Sequence, residues 1–184
     1  MGTDKALVPI EGISLLERTA QIALESGLSV GVAGRKPPPE WTLKEISFIE
    51  DEVKDCGPMG GLFTALKNTG TDILALACDM PRLSVQALQW LIEEHNQNTL
   101  EDGLITSSEE QLQPLFAVYT LRSLPLITEC VESRSLAMHD LIRAGRFQFV
   151  TLPGLFASAV EDIDTPEILR ALTGKRASES HQDK

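Results

Sequence analysis

The chain has 184 residues, 42% of them hydrophobic, 23% charged and 5% aromatic, with a formal net charge of −11 and a pI near 4.7. That length can bury one domain-sized core without disulfides or metals. The acid excess repels phosphate backbones and the few aromatic rings offer little for bases to stack on, so a general nucleic-acid surface is excluded. No apolar run reaches the ~20 residues of a membrane helix. The first residues show no charged region followed by an apolar stretch, so a cytoplasmic protein is expected. Cys56, Cys78 and Cys130 lack any CxxC spacing and read as free thiols in a reducing compartment, not as a metal cluster.

Met1 to Gly12 reads as a loop or short hairpin. Ser14 and Glu17 form a Ser-x-x-Glu capping signal, followed by apolar residues at helical spacing and closed by Gly27. Leu28 to Ala33 and Ile46 to Ile49 read as short strands, separated by the stiff turn Pro37-Pro38-Pro39. The acidic group Glu50-Asp51-Glu52 follows, then Gly57-Pro58-Met59-Gly60-Gly61 as a glycine-rich turn opening a helix through Leu66. Asp72 to Cys78 is a continuous apolar run, as expected of a strand in the middle of a parallel sheet. Ser84 caps a helix to about His95. Strands are expected at Leu104 to Thr106, Leu115 to Tyr119 and Phe147 to Leu152, with helices at Leu121 to Val131 and Leu136 to Ala144. Thr165-Pro166-Glu167 opens a last helix, and residues 175–184 read as a disordered polar tail behind one domain, 1–174.

Strands alternating with long helices predict an α/β fold with a mostly parallel sheet. Such a sheet holds ligands in the loops that leave its strands, which puts Asp51, Gly57 and Asp79 on the functional edge. Asp79, followed by Met80-Pro81, can hold Mg²⁺ against a triphosphate; it can equally cap the segment before Ser84. Asp51 can contact a ribose or a metal, or sit on a solvated acidic surface. The Gly57 to Gly61 segment can bring backbone N–H groups to a phosphate, or mark an ordinary turn. Lys5 can neutralise phosphate charge or be a surface lysine. His95 and His139 fall in helical stretches and are read as surface or core-edge residues.

Seven segments in chain order resemble the molybdenum cofactor guanylyltransferases, the MobA-like branch of the Rossmann-like nucleotidyltransferases. They are Met1-Gly2-Thr3-Asp4-Lys5-Ala6-Leu7, Glu11-Gly12 through Leu15-Leu16-Glu17-Arg18, Glu50-Asp51, Gly57-Pro58-Met59-Gly60-Gly61-Leu62, Cys78-Asp79-Met80-Pro81, Gln113 through Tyr119, and Asp164-Thr165-Pro166-Glu167. The resemblance implies a three-layer fold and transfer of GMP from GTP to the phosphate of molybdopterin, with release of pyrophosphate. It implies that Lys5 contacts the triphosphate and that Asp79 binds Mg²⁺ and the phosphates. Asp51 and the loop from Gly57 to Gly61 would contact the nucleoside. Gln113, Asp162 and Asp164 would face molybdopterin. GTP and molybdopterin are the expected partners, with molybdoenzymes or their chaperones downstream; no nucleic acid or membrane is expected.

The sequence departs from that family twice. The family opens with a buried strand and a Leu-x-Gly-Gly-x-Ser-x-Arg loop ahead of the Met-Gly-x-Asp-Lys segment, and this sequence starts at that Met. The expectation is therefore a chain without the family's first strand, through a start placed too late, leaving an unpaired sheet edge. Asp164, and Asp162 near it, stand where the family often has asparagine, and a carboxylate beside an anionic ligand needs a cation or proton there. Three rival readings remain: a CTP-using relative, a non-catalytic molybdopterin or nucleotide-binding protein, and a sugar-1-phosphate nucleotidyltransferase, for which the chain has little room.

Overall fold

The structure is a computed structural model that describes residues 4–161. The expected last helix, the tail, Asp162 and Asp164 lie outside those residues. A 3-10 turn over Lys5–Leu7 leads into a hairpin of β1 (Pro9–Ile10) and β2 (Ile13–Ser14). Its two-residue turn has both φ angles positive, Glu11 at 55° and Gly12 at 86°, the twist that suits a tight hairpin. Helix α1 (Leu15–Glu25) starts where the Ser14 hydroxyl accepts the Glu17 N–H at 3.2 Å. It ends with Gly27 left-handed, Gly27 N–H on Leu24 O and Leu28 N–H on Ala23 O, which satisfies the last carbonyls of the helix.

Strands β3 (Gly31–Ala33) and β4 (Ser47–Ile49) pair in parallel. Helix α2 (Gly57–Thr69) follows, then β5 (Ile73–Leu76), α3 (Val85–Gln97), β6 (Gly103–Ser108) and β7 (Gln111–Tyr119). A 3-10 turn over Leu121–Ser123 enters α4 (Leu124–Glu132), and α5 (Met138–Ala144) and β8 (Phe147–Thr151) complete the described sheet. The second sheet runs β5-β7-β6-β8.

Alternation along β6 and β7 separates two cores. Ile105, Ala117 and Tyr119 face α2, α4 and α5, packing on Met59, Leu66, Ile127 and Leu141. Leu104, Phe116 and Val118 face the other way onto α1 and α3, against Ala23, Leu88 and Leu91. This is the expected three-layer α/β arrangement. The sheet is mixed where parallel pairing was expected: β3–β4 and β6–β8 are parallel, but β7 runs antiparallel to both β5 and β6. The helix after β6 that a parallel crossover needs is missing, because residues 109 and 110, both with positive φ, turn β6 straight back into β7.

Strand β5 is shorter than the apolar run it lies in and is not flanked on both sides. It pairs with β7 on one side, and no strand pairs its other edge among the described residues. The outer edge of β3 is likewise unpaired there. Yet α1 packs on both pieces: Leu16 and Ala20 share a cluster with Val32 of β3, while Ala23 shares one with Leu74 and Leu76 of β5. Helix α1 thus spans the outer edges of β3 and β5, neither of which is paired among the described residues.

Candidate functional site

The N-terminal loop is tied to the exit of β3 by Asp4. One oxygen of its carboxylate accepts the Ala6 N–H at 3.1 Å, which caps the 3-10 turn. The other takes the Arg35 guanidinium at 3.0 Å. Lys5, next in the chain, is exposed on this loop.

Asp51 leaves β4 and is wedged between two glycines. A Cβ on Gly34 would stand 3.1 Å from its Oδ2, and one on Gly60 3.6 Å away. Gly34 is also left-handed, with φ 83°, where a side chain is strained. The hydroxyl of Thr64, fully buried in α2, donates to Asp51 Oδ1 at 3.4 Å and accepts the Glu52 N–H at 3.4 Å. Burial pushes the Asp51 carboxyl above its ordinary value, and the Thr64 hydrogen bond opposes that shift. Asp51 therefore joins β3, β4 and α2 at one point, a role the bare acidic run Glu50-Asp51-Glu52 does not reveal.

The Gly57 to Gly61 segment is not a turn ahead of a helix. It is the first turn of α2 itself, with Pro58 at the position where its missing N–H is harmless. Each glycine has its own surroundings. Gly57 is left-handed with φ 52° and open space around its Cβ position. A Cβ on Gly60 would meet Cys56 Cβ at 2.9 Å, and Gly61 packs 3.7 Å from the Ala33 side chain. Packing of α2 on β3 accounts for Gly61, and the segment between β4 and α2, with Val53 O 3.4 Å away, accounts for Gly60.

Asp79 stands three positions after the end of β5. Burial raises the pKa of the neighbouring Cys78 thiol most, then the Asp79 charge; Arg35 lowers it and Asp4 raises it. Cys78 also packs on the cluster of Ala6 and Val32, so the exit of β5 lies beside the N-terminal loop and β3, which carry the Asp4–Arg35 pair. The Asp79 carboxylate is half-buried and has no hydrogen bond or ion pair among the described residues. It does not cap α3: the Ser84 hydroxyl does so, accepting the Ala87 N–H at 3.3 Å. No cluster of three or more His, Cys, Asp or Glu suited to a metal occurs among the described residues. A cation at Asp79 would need substrate phosphates and water as its other ligands.

Gln113 lies on β7. That strand pairs Leu76 with Phe116, and Ala77 N–H reaches Leu115 O at 2.9 Å. The ladder ends there: β5 stops at Leu76, Cys78 and Asp79 are in a turn, and the β6–β7 register shifts between Ala117 and Gln113. The Asp4–Arg35 pair, Asp51 beside Gly34, and Cys78, which packs on the cluster of Ala6 and Val32, thus lie around the exit of β3, with Lys5 and Asp79 next in the chain to Asp4 and Cys78; no contact among the described residues brings Gln113 to them. Arg35 and Thr64, the partners of Asp4 and Asp51, did not stand out in the sequence. Arg35 had a signal, since it closely follows a strand as Asp79 does; the three prolines behind it read as a surface turn. Thr64 lies inside a helix, where spacing carries no trace of a contact 13 residues back.

The family model for the MobA-like NTP transferase domain matches residues 1–147. The chain belongs to this family. It is 31% identical over 181 residues to a probable molybdenum cofactor guanylyltransferase of Natronomonas pharaonis, covering 90% of this chain and 86% of that protein. A protein of the same description from Flavobacterium johnsoniae is 41% identical over 96 residues, 51% of this chain and 49% of the relative. Thus the chain spans about half the length of that relative and most of the other. The fold is shared with the crystal structure of molybdopterin-guanine dinucleotide biosynthesis protein A from Archaeoglobus fulgidus, at a TM-score of 0.79 and 19% identity, over 96% of this chain and 92% of that one. The transferase domain has no helix among its described residues long and apolar enough to cross a membrane. Its three cysteines are free thiols.

Proposed function

We propose that this nucleotidyltransferase domain moves GMP from GTP to the phosphate of molybdopterin, forming the guanine dinucleotide form of the cofactor. The observation that carries the reading is that the Asp4–Arg35 ion pair and the Cys78-Asp79 segment lie together, Cys78 packing on the cluster of Ala6 and Val32. It sets the Asp79 carboxylate, without a hydrogen bond or ion pair among the described residues, at the exit of a strand near the Arg35 guanidinium, with Lys5 on the adjoining loop. Relatives described as probable molybdenum cofactor guanylyltransferases support the choice of substrates.

In this reading a molybdopterin phosphate oxygen attacks the α-phosphorus of GTP. The new O–P bond forms as the bond from the α-phosphorus to the bridging oxygen breaks, and pyrophosphate leaves with the electron pair. The attacking phosphate is already ionised near neutral pH, so no side chain needs to take a proton. The work left to the protein is positioning and charge neutralisation. Lys5 and Arg35 supply fixed positive charge in a chain of net charge −11. Asp79 would hold Mg²⁺, which would offset the charge on the departing pyrophosphate. Asp51 and the start of α2 would face the nucleoside. Gln113, and Asp162 and Asp164 outside the described residues, would face molybdopterin. The product would pass to molybdoenzymes or their chaperones.

The test is a calorimetric titration of GTP and, separately, CTP, each with Mg²⁺, into this chain and into the chain preceded by a strand and Gly-rich loop of the family type. Product formation from molybdopterin is followed alongside. GTP binding and pyrophosphate release by the extended chain support the reading. Preference for CTP moves it to a cytidylyltransferase. Binding without turnover leaves a nucleotide- or molybdopterin-binding protein, and no binding of either nucleotide refutes it.

A further inference from the structure

Helix α4 ends in a motif that asks for glycine. Ser135 N–H reaches Cys130 O at 2.9 Å and Arg134 N–H reaches Val131 O at 3.3 Å, with Arg134 left-handed at φ 59°. A residue at this place carries the strain of a left-handed backbone unless it is glycine. The chain has an arginine there, and its side chain is committed. One guanidinium nitrogen, Nη1, donates to Lys54 O at 3.2 Å, to Asp55 O at 3.5 Å and to Cys56 Sγ at 3.2 Å.

Those three acceptors form the segment that enters α2. It is itself contorted: Asp55 has φ 59° and Gly57 φ 52°. Cys56 is the cap residue of α2, yet it makes no side-chain capping hydrogen bond. A strained segment persists only when its surroundings hold it. Here the holding group comes from the turn after α4, about 80 residues away in the chain.

We infer that Arg134 is a positioning residue that clamps the Lys54–Cys56 segment and so sets the start of α2 for the nucleotide. The clamp itself stands on the geometry; its consequence for the nucleotide rests on the GTP reading above. The left-handed backbone makes the discriminating variant simple. Arg134→Gly removes the guanidinium while suiting the backbone better, so relief of the left-handed strain offsets the lost hydrogen bonds and the fold keeps its stability. Arg134→Asn, which also tolerates this conformation, serves as the second variant.

The experiment uses the full chain, with site-resolved thiol labelling of Cys56 and GTP–Mg²⁺ titration of the parent and both variants. Cys56 is 1% exposed, so the parent should label slowly there. In both variants labelling at Cys56 should rise and GTP affinity fall, each by about tenfold, the low end for losing a hydrogen bond from a charged donor. The melting temperature should not fall for Arg134→Gly. Unchanged Cys56 labelling overturns the clamp. Faster labelling with unchanged GTP affinity overturns the link to the nucleotide. If neither the parent nor the chain extended as above binds GTP while the labelling still rises, the clamp stands and the GTP reading is what has failed.

Discussion

Replacing Gly34 with alanine tests the central packing claim of the site, that β3 ends in glycine to admit Asp51. Two costs can be worked out separately. The left-handed backbone at φ 83° carries about 1–2 kcal/mol for any residue with a Cβ. The new Cβ would also stand 3.1 Å from Asp51 Oδ2, so the carboxylate must shift by some tenths of an ångström. Its hydrogen bond from Thr64 is already long at 3.4 Å, and losing it costs about 1 kcal/mol. The sum is about 2–3 kcal/mol, which for a domain of this size lowers the melting temperature by roughly 4–12 °C. Urea and thermal unfolding measure it. The same substitution in an Asp51→Ala background should retain only the backbone cost, giving a coupling of about 1 kcal/mol. Equal costs in the two backgrounds would show that Gly34 does not make room for Asp51. A cost below about 0.5 kcal/mol, the noise of an ordinary surface change, would sink the backbone argument as well.

Asp51→Asn should raise stability at pH 7. Burial lifts the folded-state pKa above 3.8, so the folded chain binds its proton more tightly than the unfolded chain and stability falls as pH climbs through that window. Melting curves of parent and variant should converge below pH 3.8 and separate above it. Asp79→Asn should leave the melting temperature within about 2 °C, because the carboxylate has no hydrogen bond or ion pair to lose among the described residues, yet weaken Mg²⁺-dependent GTP binding by about tenfold or more; calorimetry and a thermal melt read the two effects. Tyr119→Phe strands the carbonyl of Pro114, which accepts the tyrosine hydroxyl at 2.9 Å in the core. Chemical denaturation should show a loss of about 1 kcal/mol.

Local signals were legible where local physics decides. Ser14 and Ser84 cap their helices with the hydrogen bonds their spacing suggests, and Gly27 closes α1. The strand-exit rule singled out Asp51 and Asp79, and both stand at strand exits. It failed on strand direction. The run through Cys78 is apolar on both faces because two helical layers cover it, and that pattern is the same whether its neighbour runs parallel or antiparallel. The reversal between β6 and β7 rests on Glu109 and Glu110 in positive φ, a conformation that no common turn dipeptide announces here.

Chain order and residue type by themselves determined the α/β class, the two-sided burial of the central strands and the family resemblance, because periodicity, caps and short motifs are local. The site's working arrangement was decided only in three dimensions. Arg35 meets Asp4 across 31 positions, Thr64 reaches back 13 to Asp51, and Arg134 reaches some 80 to the start of α2. Each contact is made by a side chain whose partner is chosen by how helices pack on the sheet, and helical or strand spacing carries no record of that choice.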